Sequence, residues 1–457
     1  MPRPRSSTLP NPSAIAPAAD QRAAPFDAQE LDQLFAVCAG FKRIALAVSG
    51  GPDSLALMHL CHAWGMAPGG PKPSFVVLTV NHGLRAAATG EVRQVAAAAA
   101  RLGLDCHILT REAPASSASM LEIARADRYR LLCDAARAAG ADAIVTGHTA
   151  DDQAETLLMR LARGSGVDGL SAMAAVSCLD DLALVRPLLS VPKVRLLSFL
   201  KARQIAFIDD PSNTDPTFER PRLRAPGTTL AGAGLTRDAL VRSARRLGRA
   251  RAALEAVSQA ANRQLAVLHP EGWVSLARPG FDTLPEEIRV RLLGYWLRLM
   301  GAATEHQRMA GVERIIAALA SQPRHTATLA GCLIIAGPDV IDISREPGRN
   351  GLPQVPLEPG GSVLWDRRFT VRLPASARPG ILIRPAKPAD LTAEQKKLRL
   401  GLNVSQHIME TTPAAFRGNS LIACPVIGIM TEPIVFELAL PDPSAGQANA
   451  VPHLTDE

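Results

Sequence analysis

The sequence predicts an α/β chain: a doubly wound parallel sheet on the N-terminal side, then a helical domain, then a small strand-rich C-terminal domain. Three observations lead there. From about Phe41, short β-branched runs alternate with longer segments whose apolar residues recur at three- and four-residue spacing, as crossover βαβ units require. After Asp215 the texture shifts to Pro216, Pro221 and Pro226, then Gly227, Gly232 and Gly234, which marks a linker. Beyond position 348, prolines and glycines interrupt short β-like runs.

Taken in order, residues 1–28 are expected to form a disordered tail. Their first 19 positions hold no acid, and Pro2, Pro4, Pro10 and Pro12 oppose an amphipathic targeting helix around Arg3 and Arg5. Within residues 29–225, strands are expected at Arg43–Val48, Phe75–Val80, Asp105–Leu109 and Ala143–Gly147. Helices are expected between and after them, at Asp53–Trp64, Thr89–Leu102, Ser119–Ala139 and Ala150–Ala162. In such a sheet, ligands bind at the carboxyl ends of the strands. Residues 226–347 read as mainly helical, with helical patterns over Thr236–Leu265 and Glu286–Leu319 and two short strands near Ala327–Ile335 and Val340–Ser344. Residues 348–457 carry strand-like runs at Ser362–Leu364, Phe369–Leu373 and Ile381–Ile383.

Composition narrows the function classes. With 457 residues the chain exceeds what one core usually serves, and 47% apolar against 20% charged residues is a globular rather than a disordered balance. The longest apolar stretch, Leu421 to Met430, stops at Thr431, Glu432 and Pro433, short of the roughly 18 residues a membrane span needs. Seven scattered cysteines with no CxxC pair read as reduced, structural thiols of a cytoplasmic protein. A net charge of +7 suits a polyanionic partner without identifying one.

The chemistry concentrates in two segments. Ser49-Gly50-Gly51-Pro52-Asp53-Ser54 sits directly after the first strand and directly before a helix. Glycines there let backbone approach phosphate, the free N–H groups of the next helical turn point at the anion, and Ser49 and Ser54 add hydroxyls. Asp53 is placed to reach a magnesium ion bridging phosphates. The same letters also make a good helix start, with Pro52 at the first helical position. No Gly-Lys-Ser/Thr follows, so this is not the nucleotide loop that ends in a lysine. The second segment, Gly147-His148-Thr149-Ala150-Asp151-Asp152-Gln153-Ala154-Glu155-Thr156, falls at the end of the fourth strand. Asp152 and Glu155 share a helix face and together suit an ammonium group, while Thr149 and Asp152 equally fit a capping box. His148 is a strand-end candidate for a phosphate ligand.

SGGPDS and six further segments occur in the order found in one enzyme family. The six are Asn81-His82-Gly83-Leu84-Arg85, Ala124-Arg125 with Arg128-Tyr129, His148 through Thr156, Arg163-Gly164-Ser165-Gly166 with Gly169-Leu170, Arg186-Pro187-Leu188-Leu189, and Asp210-Pro211-Ser212-Asn213. From Arg43 to Arg224 the chain resembles the tRNA(Ile)-lysidine synthetase family of PP-loop ATP pyrophosphatases. The resemblance implies a Rossmann-like, adenine-nucleotide-alpha-hydrolase-like domain that uses ATP and Mg2+. It implies adenylation of the wobble cytidine of a tRNA(Ile) with a CAU anticodon, followed by displacement of AMP by the ε-amine of free L-lysine. It also implies His82, Arg85 and His148 at the phosphates, and a grip on the amino-acid end of lysine, with Arg128 on its carboxylate and Asp152 with Glu155 on its ammonium.

For the tRNA, nine arginines lie between Arg220 and Arg251 against one acid, Asp238. Arg220, Arg224, Arg242, Arg245, Arg246 and Arg249, with Arg163, are the expected backbone contacts, since guanidinium forks suit phosphates. A solvated helix face is the competing reading of such a run. Where the family commonly continues Arg-Asn-Arg, this chain has Arg220-Pro221-Arg222, and its C-terminal third resembles the family only loosely. Two alternatives stand beside the main reading: a PP-loop tRNA-modifying enzyme acting on another acceptor, such as a 2-thiolase, and a catalytically silent tRNA-binding protein. Reactive cysteine pairs, usual in thiolases, are not seen, and an intact loop argues against a silent binder. Self-association as a homodimer is left open.

Overall fold

The computed structural model describes residues 25–81, 88–110, 120–208, 227–301, 309–402 and 405–440. His82, Arg85, Arg220, Arg224 and the Asp210–Asn213 segment lie outside the described residues, as does the expected tail up to position 24. The chain gathers into two compact units that divide between Arg251 and Ala252.

The first unit is the expected parallel α/β domain. Its strands are β1 (Arg43–Ala47), β2 (Ser74–Asn81), β3 (Asp105–Thr110), β4 (Ala143–Thr146), β5 (Val176–Leu179) and β6 (Leu182–Val185). They lie in the order β3-β2-β1-β4-β6-β5, all parallel except β5, which pairs antiparallel with β6. Its helices are α1 (Ala28–Phe35), α2 (Pro52–Met66), α3 (Ala88–Arg101), α4 (Met120–Ala138), α5 (Ala150–Ala162), α6 (Val167–Leu170), α7 (Lys193–Ala202), α8 (Gly227–Gly232) and the first half of α9 (Arg237–Leu265).

Pleat alternation divides the core. Ile44, Leu46 and Val48 face α1, α2, α3 and α7, whereas Ala45 and Ala47 face α4 through Leu132, Cys133 and Ala136. The near-continuous apolar character of β1 and β4 follows from burial on both faces. Order reverses between β1 and β4, so the crevice where a doubly wound sheet binds its ligand opens beyond those two strand ends. Phe26 is buried against Phe199, and Asp27 caps α1 by accepting from the Glu30 N–H at 2.8 Å.

Two local expectations change. The β5–β6 hairpin widens the sheet beyond the four predicted strands, turning at Asp180, which takes a φ of 53°. The glycine-rich segment expected as linker forms the short helix α8, closed by Gly234 at φ 85°. Glycine is suited to that left-handed end because it carries no Cβ.

The second unit begins with the second half of α9. It holds an antiparallel sheet, β7 (Ala266–His269), β8 (Trp273–Ala277), β11 (Val340–Arg345), β10 (Cys332–Ala336) and β9 (His325–Leu329), packed on α10 (Arg278–Asp282), α11 (Glu286–Gly301) and α12 (Met309–Ser321). The helical region therefore carries five strands where two were expected. The predicted run Ala327–Ile335 is in fact a hairpin turning at Ala330 and Gly331, both at positive φ. Two further antiparallel sheets, one of five strands and one of three, make the strand-rich C-terminal part around Trp365, Phe369, Val371 and Ile383. Among the described residues no helix is long and apolar enough to cross a membrane.

Candidate active site

Ser49 leaves β1 as the chain turns sharply into α2. Gly50 adopts φ 87°, and its carbonyl accepts from the Ile208 N–H at 2.9 Å. A Cβ on Gly50 would lie 2.4 Å from the Ile208 side chain, so the turn needs glycine for both conformation and space. Gly51 caps α2 and Pro52 occupies its first turn. The Ser54 hydroxyl donates to the Gly51 carbonyl (3.0 Å) and accepts from the Ser49 N–H (3.2 Å); since its single proton is used there, the Ser49 hydroxyl is the donor between the two side chains at 3.3 Å. Ser49 and Ser54 thus brace the loop, and the first-turn N–H groups of α2 face the crevice as an anion-binding end.

The end of β4 lies against this loop. A Cβ on Gly147 would meet the Asp53 carbonyl carbon and oxygen at 2.9 Å and the Ser54 Cα at 3.1 Å, so only glycine lets the two motifs touch. His148 follows, tied by Nδ1 to the buried Thr146 hydroxyl at 2.8 Å. Thr149 then starts α5 with a full capping box. Asp152 Oδ2 accepts from the Thr149 N–H (2.9 Å) and hydroxyl (2.7 Å), and the Asp152 N–H returns to Thr149 Oγ1 (3.4 Å). Glu155, one turn on, is buried at 9% exposure. The expected cap is present, and the same helix start brings Asp151 and Asp152 close enough to Asp53 to push its carboxyl up.

The residue that sequence reasoning missed is Lys193, the first residue of α7. Its Nζ donates to Asp53 Oδ2 at 3.0 Å, and its backbone N–H donates to Asp151 Oδ2 at 2.7 Å. Burial pushes the Asp53 carboxyl above the ordinary carboxylate range; Lys193 pulls it back down, and the Asp152 and Asp151 charges push it up again. Asp53 Oδ1 is buried without a hydrogen-bond partner among the described residues. A lone hard oxygen beside a phosphate-binding loop fits magnesium, which takes one or two carboxylates plus nucleotide phosphates. Among the described residues no three His, Cys, Asp or Glu side chains gather into a protein-only metal cage.

The other predicted residues spread outward. Arg128 is half-buried on α4, and Arg163 is exposed at the end of α5, before Gly164 turns the chain at φ 72°. Arg186 is buried, donating to the Ala174 carbonyl and the Ser177 hydroxyl, so it ties the β5–β6 hairpin. On α9, Leu240 and Ala244 pack on Ala154, Leu157 and Ala172, which leaves Arg242, Arg245, Arg246 and Arg249 exposed along the opposite face. Arg237 stands 3.8 Å from Asp151, and Arg251 pairs with Asp168 at 3.9 Å, so both ends of this half-helix are pinned to the domain.

Comparison with known proteins agrees with this geometry. A PP-loop domain is recognised over residues 24–226. The chain is 43% identical over 354 residues to the tRNA(Ile)-lysidine synthase of Bradyrhizobium diazoefficiens, covering 72% of this chain and 97% of that protein. Against the protein of the same name from Rhodopseudomonas palustris it is 43% identical over 339 residues, 71% and 96% of the two chains. Such identity across nearly the full length of these relatives, with the loop and the acidic helix start in contact, means that the chain belongs to the tRNA(Ile)-lysidine synthase family.

Proposed function

We propose that the crevice between β1 and β4 carries the lysidine-forming reaction of this family in two steps, both on the wobble cytidine of a CAU-anticodon isoleucine tRNA. In the first, the cytidine 2-carbonyl oxygen bonds to the α-phosphorus of ATP while the bond to the β-phosphate breaks and pyrophosphate leaves with its electron pair. In the second, the neutral ε-amine of lysine bonds to C2 while the C2–O bond breaks; AMP leaves with that oxygen and the electron pair, and the new C–N nitrogen gives up a proton. The observation that carries this reading is the contact Gly147 permits: an anion-binding loop and an acidic helix start meet at one strand-order reversal.

Placement supports the roles of the loop, His148, Asp53 and Asp152, and the remaining roles rest on the family resemblance. The Ser49–Ser54 loop and the first turn of α2 hold the phosphates. His148, held by Thr146, lies at the crevice as a donor toward phosphate oxygens, with His82 and Arg85 assigned there by resemblance. Asp53 Oδ1 would hold Mg2+, which supplies charge neutralisation on the phosphates. Asp152 and Glu155 take an ammonium of lysine and Arg128 its carboxylate. The α9 arginines and Arg163 contact the tRNA backbone without reading its sequence, with Arg220 and Arg224 assigned there from the sequence alone. A cytoplasmic location, where tRNA is found, is the reading consistent with these assignments.

The test is incubation of the full chain with CAU-anticodon isoleucine tRNA, ATP, Mg2+ and radiolabelled lysine, followed by nucleoside analysis. Label in a modified wobble cytidine is expected. AMP released only with tRNA present, but without incorporated label, would leave the adenylating site and replace the second substrate.

A further inference from the structure

Three carboxylates crowd the place where a nucleotide carrying four negative charges is to bind. Asp151 and Asp152 both act electrostatically on Asp53. Left alone, such a cluster repels phosphates. We propose that Lys193 is the positioning residue that lets this acid-lined crevice accept a polyanion: it balances Asp53 at the loop and leaves the Oδ1 side of that carboxylate for the cation that accompanies ATP. This rests on the nucleotide reading of the loop proposed above.

Three observations carry it. The ammonium comes from a different helix, since Lys193 of α7 and Asp53 of α2 stand 140 positions apart and meet at 3.0 Å. The backbone of Lys193 is fixed separately, by its N–H on Asp151 Oδ2 at 2.7 Å, so the side chain does not have to hold the start of α7 in place. The pair is not sealed in the core: the Lys193 side chain keeps 33% of its exposure and Asp53 22%, which places the charge at the crevice surface. An ammonium carries three donors, so one hydrogen bond to Asp53 leaves two for phosphate oxygens. Oδ1 of Asp53, meanwhile, is buried with no hydrogen-bond partner among the described residues.

Charge sign makes this testable. Equilibrium dialysis of the full chain is run with MgATP and, separately, with labelled lysine, for the native protein, Lys193→Ala and Lys193→Arg. Lys193→Ala is expected to weaken MgATP binding at least about tenfold, the scale of a lost charge-assisted contact, and to leave lysine binding within about twofold, because removing a cation does not penalise an ammonium. Lys193→Arg is expected to stay within about threefold of native for MgATP, since the charge is kept although the geometry differs. Unchanged MgATP binding in Lys193→Ala, or equal losses for MgATP and lysine, overturns the proposal, the second result marking a purely structural role. A native protein that binds MgATP but makes no lysidine would defeat the reaction assignment while dialysis still decides the role of Lys193.

Discussion

Gly147→Ala places one methyl group between β4 and the phosphate loop, and its size can be worked from the structure. The new Cβ would stand 2.9 Å from the Asp53 carbonyl carbon and oxygen, and 3.1 Å from the Ser54 Cα, where ordinary contact begins at 3.4 Å. These are backbone atoms of the first turn of α2, so no side chain can rotate away to relieve the clash. β4 is held on both sides, by β1 and β6, and α2 is buried through Leu55, Ala56, Leu57, Met58 and Leu60. The loop and the His148 segment must therefore part by about half an ångström. Overpacking of this kind costs about 1–3 kcal/mol, which a domain of this size survives. Misplacement by about 1 Å can cost roughly a hundredfold in rate, so tRNA-dependent pyrophosphate release at saturating ATP and lysine should fall about ten- to hundredfold. Gly40→Ala, with nothing within 4 Å of its Cβ and outside the site segments, serves as the control and should keep full turnover. A folded Gly147→Ala protein within twofold of native turnover would show that the close approach of the two motifs does not matter to the chemistry.

Further outcomes follow from other sites. Glu155→Ala should raise the KM for lysine by about tenfold or more and that for ATP little, as removal of one charge-assisted contact to an ammonium implies; parallel rises in both would remove Glu155 from the lysine site. Replacing Arg242, Arg245, Arg246 and Arg249 together by glutamine should weaken tRNA binding and lower the slope of log affinity against log salt by about 3, at somewhat under one unit per phosphate contact; an unchanged slope would make the run a solvated face. Gly248→Ala on α9, where a Cβ meets nothing within 4 Å, should stabilise the protein by about 0.5–1 kcal/mol in chemical denaturation, and any destabilisation would contradict the open space described there.

How much of this was legible in the sequence depended on whether the signal was local. The loop, the strand before it and the capping box at Thr149 each declare themselves within ten residues, through glycine, proline and Ser/Thr-to-acid spacing. Lys193 does not. Its partner Asp53 is 140 positions away, and Ser190-Val191-Pro192-Lys193 reads only as a turn entering a helix; Pro192 at the start of α7 was the one local hint. The missed hairpins fail for a related reason. Asp180-Asp181 and Ala330-Gly331 turn the chain with residues at positive φ but without the Asn-Gly or Asp-Gly pair that marks such turns, so β5 with β6 escaped notice and β9 with β10 read as one run. The cysteines are free in the structure, and Cys38, Cys61, Cys133, Cys332 and Cys424 are buried. Burial pushes the thiols of Cys38, Cys332 and Cys424 up to about 12 and those of Cys106 and Cys133 to about 11, which keeps them protonated at neutral pH and unsuited to thiolate chemistry.

The crevice combines charges that would conflict in a site for one ligand. The positive end of α2 suits phosphates, whereas the start of α5 presents Asp151, Asp152 and, a turn later, Glu155. A nucleotide alone gains nothing from those acids, and lysine alone gains nothing from the loop. A reaction that brings a polyanion and an ammonium to the same cytidine needs both, kept apart by a few ångströms and balanced so that neither repels the other's partner. Lys193 supplies that balance on the nucleotide side. On the proposed reading the tRNA meets the far side of the helix packed on α5: α9 sets Leu240 and Ala244 against Ala154 and Leu157 of α5 while its arginines face outward. If those arginines grip the tRNA backbone and α5 holds lysine, as proposed, then the packing of α9 on α5 references the anticodon to the attacking amine within one domain.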